Sequence, residues 1–251
     1  MKQIFIGTSG WSYKSWEQTF YPAAIPKTRH FEFYASQFRT VEINLTYYRL
    51  PTPSMVQGWC DKAPPGFVYA VKGSRFITHM KKLANLGNAL DRFFERIEPL
   101  QKRLGVILWQ LPPMLHKDAA RLEDFLRQLP EEYLYAVEFR HVSWLDEEIF
   151  ALLRRYGAAQ VAVSSPGMPM NLQVTSNLVY IRFHGLVGGA AHDYTWEELA
   201  PWARHIRQQA EVGHTVYAFF NNDANGCAPN NARVLMEMTG APAGAALAAA
   251  A

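Results

Sequence analysis

The segment Leu178-Val179-Tyr180-Ile181-Arg182-Phe183 is a short apolar run in which a single arginine interrupts the hydrophobic residues. Similar short segments recur about every 30 residues, which is the length of one strand and helix unit. Apolar runs of roughly four to eight residues are typical of strands that are buried on both faces of a parallel sheet. The sequence therefore predicts eight strands, at residues 3–7, 40–44, 67–72, 105–110, 133–138, 159–164, 178–183 and 215–220.

Helical patterns fill most of the gaps between these strands. The predicted helices cover residues 30–38, 80–103, 119–129, 147–156, 196–211 and 230–238. Strict alternation of strand and helix indicates a parallel sheet, and in a chain of 251 residues closure into one (β/α)8 TIM barrel is the economical α/β fold. An open doubly wound sheet is the alternative, but the turn Gly7-Thr8-Ser9-Gly10 lacks the dinucleotide fingerprint.

Two stretches depart from the regular pattern. The gap after the sixth strand, Ser165 to Asn177, contains Pro166, Gly167 and Pro169 and leaves no room for an ordinary helix, so the sixth unit is predicted to be degenerate. The last residues, 240–251, are almost entirely Ala, Gly and Pro. We therefore predict a barrel over residues 1–239 followed by an Ala-rich C-terminal tail.

Composition excludes several classes of protein. Hydrophobic residues make up 49% and charged residues 19% of the chain, as in ordinary globular proteins, and no apolar run is long enough to span a membrane. The N-terminus has no signal-peptide pattern, and two cysteines are too few for a disulfide framework, so we expect a cytoplasmic protein. A net charge of +3 does not favour nucleic acid as a partner.

Polar and charged side chains gather at the C-terminal ends of the predicted strands. Because residues two apart share one face of a strand, Glu42 lies on the same face as Asn44, and Glu138 on the same face as Arg140. Charges in apolar strands are costly to bury unless they are paired, so these side chains should converge at the barrel mouth. The predicted ring contains Glu42, Asn44, Lys72, Gln110, Glu138, Arg140, Arg182, His184 and Asn222.

The chemistry of this ring indicates an enzyme that uses acid–base catalysis on a small anionic, phosphorylated or sugar-like substrate. Glu42, Glu138 and His184 are the candidate proton-transfer residues. The cationic and amide groups, together with two aromatic side chains, are the candidate substrate-binding residues: Lys72, Arg140, Arg182, Asn44, Gln110, Asn222, Tyr47 and Trp11. The glycine-rich loop 185–190 lies where barrels often bind phosphate; a mobile lid and an ordinary long loop are the alternatives.

Several other interpretations stay open at this point. The ring could be a structural salt-bridge network that fills the barrel top, and Lys72 could form a Schiff base, although a charged Lys72 is favoured. A non-catalytic nucleotide or nucleic-acid binding protein would use the aromatic rim and the cationic floor. A metal-dependent hydrolase would draw ligands from Glu42, Glu138, His141, His184 and Asp223, but the sequence lacks a metal-ligand motif and we predict neither a metal nor a cofactor.

An ordered set of motifs is similar to one known family. The motifs are Ile6-Gly7-Thr8-Ser9-Gly10-Trp11-Ser12-Tyr13 with Phe20-Tyr21-Pro22, Val41-Glu42-Ile43-Asn44 with Tyr47-Tyr48, Phe76-Ile77-Thr78-His79, Gln110-Leu111-Pro112, Glu138-Phe139-Arg140-His141 with Ser143-Trp144, Arg182-Phe183-His184-Gly185, and Asn221-Asn222 with Gly226 and Asn231-Ala232. Together they resemble the DUF72 family, also called YecE-like proteins, from about Ile4 to Leu235.

The resemblance implies a TIM-barrel fold and leaves the reaction open, because the family name records a domain of unknown function. Members of the family often carry an acidic residue near the end of the sixth strand, where this chain has Ser164-Ser165. Any chemical role of that acid is therefore lost or moved in this protein.

Overall fold

The computed structural model describes residues 3–245 and contains eight parallel strands that form one sheet. The strands agree with the predicted ones to within two residues at each end. They are β1 Ile4–Thr8, β2 Thr40–Ile43, β3 Val68–Lys72, β4 Leu104–Gln110, β5 Tyr135–Glu138, β6 Ala159–Ser164, β7 Leu178–Phe183 and β8 Thr215–Phe220.

The sheet curls into a barrel that closes between β1 and β2. The strand order is β1-β8-β7-β6-β5-β4-β3-β2, and a parallel bridge between Ser9 and Glu42 joins the two ends. Gly7 permits this close approach, because a Cβ atom at that position would lie 2.4 Å from the carbonyl oxygen of Thr40. The predicted (β/α)8 TIM barrel is thereby confirmed.

Helices surround the barrel. They are α1 His30–Gln37, α2 Leu45–Tyr48, α3 Pro53–Lys62, α4 Ala89–Ile97, α5 Ala119–Arg127, α6 Glu147–Arg155, α7 Trp196–Glu211 and α8 Cys227–Thr239. The sequence pattern did not predict α3, whose amphipathic signal is interrupted by Gly58. Its start is nevertheless well defined, since Thr52 caps the helix and Pro53 occupies the first turn.

The single long helix predicted over residues 80–103 is wrong. The structure replaces it with a π-helical turn at Phe76–Met80, an irregular connection, α4, and a 3-10 segment at Glu98–Arg103. Gly87 takes a left-handed conformation before α4, and Pro99 lies two residues after its end. The left-handed glycine is not helical and the proline has no backbone N–H to donate, so the regular helix is confined to Ala89–Ile97.

All strands except β2, whose inner face carries Thr40 and Glu42, have two kinds of apolar side chain. One set packs inside the barrel and includes Phe5, Leu108, Val161, Tyr180 and Phe219. The other set faces the surrounding helices and forms the larger core. Residues that continue the inner face past the strand ends therefore arrive at the mouth.

The segment between β6 and β7 contains no helix, which confirms the degenerate sixth unit. At the C-terminus, α8 ends at Thr239 and Gly240 adopts the left-handed conformation typical of a helix C-cap. Gly244 then donates its backbone N–H to the carbonyl of Gln37 at 3.1 Å. The remainder of the predicted tail, residues 246–251, lies outside the described residues. Over residues 3–245 no helix has the length and apolar character needed to cross a membrane.

Candidate functional site

Arg182 is the centre of the polar cluster at the C-terminal end of the barrel. Its guanidinium group is fully buried and forms ion pairs with two buried carboxylates. Nη2 donates to Glu42 Oε1 at 2.6 Å and Nη1 donates to Glu138 Oε2 at 2.6 Å. Gln110 Oε1 accepts a further hydrogen bond from Nη1 at 3.2 Å. One cation from β7 thus joins carboxylates from β2 and β5 across the barrel interior.

Glu42 has all its nearest partners inside the protein. Ser9 Oγ donates to Oε1 at 2.7 Å, and Tyr180 Oη donates to Oε2 at 2.6 Å. Burial alone would raise the pKa of Glu42, but Arg182, Lys72 and these hydroxyl groups outweigh it and hold the pKa below its usual value. Glu42 is therefore an ionised, fully paired carboxylate with no exposed surface.

Glu138 links the buried charges to the mouth. Its Oε1 accepts from Arg140 Nη1 at 3.0 Å and lies 3.1 Å from His184 Nε2. Burial opposes ionisation here too, yet Arg182 and His184 keep the pKa of Glu138 well below its usual range. The side chains of Arg140 and His184 are 26% and 11% exposed, whereas that of Glu138 is not exposed at all.

His184 is poised as a neutral imidazole. Burial lowers its pKa, and Arg182 at 3.3 Å from Nε2 contributes in the same direction, although Glu138 opposes the shift. The amide of Asn221 lies 3.2 Å from Nδ1. With both ring nitrogens held by neighbouring groups, the imidazole plane is fixed at the mouth.

Lys72 differs from the other cations of the cluster, because no ion pair forms between its ammonium group and any carboxylate in the described part of the chain. Its Nζ lies 4.3 Å from the centre of the Tyr47 ring, and His79 packs edge-on against the same ring at 5.1 Å. Burial and then Arg182 lower the pKa of Lys72 to about 8, against the opposing effect of Glu138 and Glu42.

These contacts define two groups of residues. We call Arg182, Glu42, Glu138 and Tyr180 the buried charge layer, because none of them is exposed. We call Lys72, Tyr47, His79, Arg140 and His184 the mouth layer, because each retains some exposure to solvent.

The other predicted ring residues fall into different environments. Asn44 directly follows β2, and its Oδ1 is buried with no hydrogen-bond partner among residues 3–245. The placement of Asn222 in the ring is wrong: its Nδ2 donates to Asn231 Oδ1 and to the carbonyl of His192, both at 2.7 Å, on the outer side of β8. Asn221, next in the chain, continues the inner face of Tyr217 and Phe219 and meets His184 instead.

Trp11 also lies apart from the ring. Its side chain packs edge-on against Phe31 at 5.3 Å and lines a cleft shared with Lys27 and Trp59. This cleft is formed by the β1 loop, the start of α1 with the residues before it, and α3, outside the cluster around Arg182. A substrate-binding role for Trp11 stays a prediction that the contacts of the mouth do not support.

Sequence reasoning missed Ser9, Tyr180, His79 and Asn221. Parity could have found Tyr180, which lies two residues before Arg182 on the same face of β7, and Ser9, which lies two residues after Gly7. Parity could not have predicted Asn221, because β8 is apolar on both faces and its sequence does not indicate which face lies inside the barrel.

The proposed metal ligands do not form a metal site. Among residues 3–245 no group of three or more His, Cys, Asp or Glu side chains could hold a metal ion. Glu42 and Glu138 instead bind the two ends of the Arg182 guanidinium. His141 stacks on His116, with the ring centres 3.9 Å apart, and accepts a hydrogen bond from the backbone of Ser143. The residues present therefore do not fit the metal-dependent hydrolase.

Hydrogen bonds hold the two ends of the glycine-rich loop after β7. Tyr194 Oη accepts the backbone N–H of Gly185 at 3.0 Å, and His192 Nε2 lies 3.0 Å from Glu198. Val187 at the tip is 91% exposed. Its role as phosphate loop or lid stays a prediction.

Comparison with known proteins identifies relatives over almost the whole chain. The family model described as "Protein of unknown function DUF72" matches residues 5–250. The UPF0759 protein YecE of Escherichia coli O157:H7 is 26% identical, with 93% of this chain and 92% of that protein covered. The UPF0759 protein YunF of Bacillus subtilis is 22% identical, with 94% of each chain covered.

Solved structures show the same fold. A DUF72 family protein from Thermotoga maritima superimposes with a TM-score of 0.84 at 30% identity, covering 94% of this chain and 98% of the other. A second, from Enterococcus faecalis, gives a TM-score of 0.81 at 21% identity, with 96% of each chain covered.

Proposed function

Because this chain belongs to the DUF72 family, whose description leaves its function open, we propose from the mouth itself that the protein is an enzyme that uses acid–base chemistry on a small anionic substrate. The substrate class we propose is a phosphorylated or sugar-like compound. The proposal depends on one observation above all: Lys72 brings a positive charge to the mouth without forming an ion pair with a carboxylate.

The distribution of charge supports an anionic ligand. Arg182 neutralises Glu42, and Glu138 is shared between Arg182 and Arg140. With Lys72 protonated, two carboxylates face three cations, and the excess charge lies in the mouth layer. An anion between Lys72 and Arg140 would replace the water lost around these cations and would meet the planar fork of the arginine.

The unpaired oxygen of Asn44 supports a substrate that also carries hydroxyl groups. A buried carbonyl oxygen without a donor is unfavourable, and a substrate hydroxyl would supply the missing hydrogen bond. Sugar phosphates carry both groups.

His184 is the proposed proton-transfer residue. It is neutral near pH 7, partly exposed, and oriented by Glu138, which would also stabilise the imidazolium formed after proton uptake. Glu42 and Glu138 were expected to transfer protons themselves, but their complete burial and pairing favour positioning roles. In this proposal Glu42 holds the position of the Arg182 guanidinium, and Glu138 holds the orientation of the His184 ring.

Two measurements test the proposal. Isothermal titration calorimetry with inorganic phosphate should show binding that Lys72→Met weakens at least 10-fold, while the exposed-site control Lys102→Met leaves it unchanged. A panel of sugar phosphates followed by ³¹P NMR should reveal turnover, and His184→Gln should reduce it roughly 100-fold or more while phosphate binding persists. Equal phosphate binding by wild type and Lys72→Met would overturn the anion site. Unchanged turnover in His184→Gln would overturn the role of that residue.

A further inference from the structure

A second cleft opens beside the mouth. It has a volume of about 430 Å³ and lies between the segment after β2 and the segment that connects β3 to α4. No residue of the buried charge layer lines it. Tyr48, which does line it, contacts the Tyr47 ring at 4.9 Å, and Tyr47 in turn covers Lys72. The cleft is therefore a neighbour of the mouth with its own set of side chains.

The charge of this cleft is entirely positive. Arg49, Lys81 and Arg92 line it, and among residues 3–245 neither an aspartate nor a glutamate does. All three cations are exposed, and none takes part in an ion pair within residues 3–245. Elsewhere on the surface, arginines such as Arg127 and Arg154 are paired with carboxylates. Three unpaired cations around one concave surface favour an anionic ligand.

Two aromatic rings, those of Tyr48 and Phe76, also line the cleft. Tyr48 is 66% exposed and Phe76 is 39% exposed, so neither ring is used by the core. Arg75 lies 5.9 Å from the Tyr48 ring centre, and Lys81 lies 5.7 Å from that of Phe76. Exposed aromatic faces bordered by cations are suited to a planar, electron-rich ring that stacks on them.

The segment from Lys81 to Asn85, whose two end residues line the cleft, is held in an uncommon conformation. Lys82, Leu83 and Asn85 have φ angles of 50°, 67° and 52°, in the left-handed region that residues other than glycine seldom adopt. Leu83 is anchored by its buried side chain, which is only 2% exposed. Conformations of this kind persist where the surrounding packing fixes them, so the cleft wall is preformed.

We propose that this cleft binds a nucleoside phosphate, with the base stacked on Tyr48 or Phe76 and the phosphate held by Arg49, Lys81 and Arg92. A free phosphate would use the cations but not the rings, and an apolar ligand would use the rings but leave the cations unpaired. A nucleotide uses both. The inference concerns a different site from the one proposed at the mouth and holds whether or not the mouth binds an anion.

The experiment compares adenosine monophosphate, adenosine and inorganic phosphate by isothermal titration calorimetry on the full chain. We expect the nucleotide to bind at least 10-fold more tightly than adenosine or phosphate. Arg92→Ala should weaken nucleotide binding at least 5-fold and leave adenosine binding unchanged. Tyr48→Ala should weaken both ligands that carry a base. Matched controls are Arg204→Ala and Trp196→Ala, an exposed cation and an exposed aromatic residue on α7.

Three results would overturn the inference. They are no nucleotide binding at millimolar concentration, binding that is equal in wild type and both cleft variants, and binding that Lys72→Met abolishes while the cleft variants retain it. The last result would place the nucleotide at the mouth. Conversely, nucleotide binding that survives Lys72→Met and is lost in Tyr48→Ala supports the cleft even if inorganic phosphate fails to bind at the mouth.

Discussion

The buried charge layer and the mouth layer meet at the ends of β5 and β7, yet they use charge in opposite ways. Arg182 and Glu138 are fully buried and every charge in their layer has a partner, whereas Arg140 and His184, each two residues further along the chain and past the strand ends, are partly exposed. Lys72 forms no ion pair with a carboxylate in the described part of the chain and lies over the Tyr47 ring instead. Paired charges in a dry interior fix geometry, and an unpaired charge at the opening is available to a ligand.

The two layers should therefore contribute differently to stability. The largest effect should come from Arg182→Met, which leaves two buried carboxylates without their common cation. Removal of one partner from a buried ion pair costs about 3–5 kcal/mol. Urea denaturation followed by circular dichroism at pH 7 should show this loss, and Arg140→Met, whose side chain is partly exposed, should lose much less. Equal losses in the two variants would contradict the separation into layers.

The second largest effect should be a loss of folding stability in acid, caused by the carboxylates of the buried charge layer. The pKa values of Glu42 and Glu138 are lower in the folded protein than in the unfolded chain, so the unfolded chain binds more protons as the pH falls below about 4.5. The stabilisation is complete above the unfolded pKa and is lost as the pH falls towards the folded one. Urea midpoints at pH 7 and pH 3.5 should therefore differ less in Glu138→Gln than in wild type, whereas the exposed-site variant Glu197→Gln should behave like wild type.

Lys72→Met should make the protein more stable at pH 7, by up to about 3 kcal/mol, because one pKa unit corresponds to about 1.4 kcal/mol and the pKa of Lys72 is lowered from its usual 10.5 to about 8. The sign follows from proton binding: between about pH 8 and 10.4 the unfolded chain holds a proton at this lysine that the folded protein has released. Wild-type stability should include a contribution that rises over that interval and is absent from Lys72→Met. A destabilised Lys72→Met at pH 7 would show that the ammonium is structural.

The smallest of these effects should come from Tyr180→Phe, which removes one hydrogen bond to Glu42 Oε2 and leaves that oxygen without a donor. A loss of about 1–2 kcal/mol is expected, with little change in phosphate binding, because Tyr180 lies below the mouth. Thermal denaturation and calorimetry measure the two quantities. A strong loss of phosphate binding with unchanged stability would move Tyr180 from the buried layer to the ligand site.

Residue spacing was sufficient to predict that Glu42, Glu138, Arg140, Arg182 and His184 meet at one end of the barrel. Strand parity places side chains that are two apart on one face, and parallel strands bring their C-terminal ends to one mouth. The same rule failed for Asn222, because both faces of β8 are apolar and the inner face is identified only by its neighbours. The rule also could not predict that Lys72, unlike Arg140 and Arg182, forms no ion pair with a carboxylate among residues 3–245.

The sequence by itself determined the barrel, since eight apolar runs separated by helices leave a parallel, closed sheet as the economical way to bury them. It also determined which charged residues occupy the strand ends. Only the tertiary structure decided which of these charges are paired and which remain available. Pairing depends on distances of a few ångströms between atoms on strands far apart in the chain, such as those from Arg182 to Glu42 and Glu138, and no spacing along one chain encodes them.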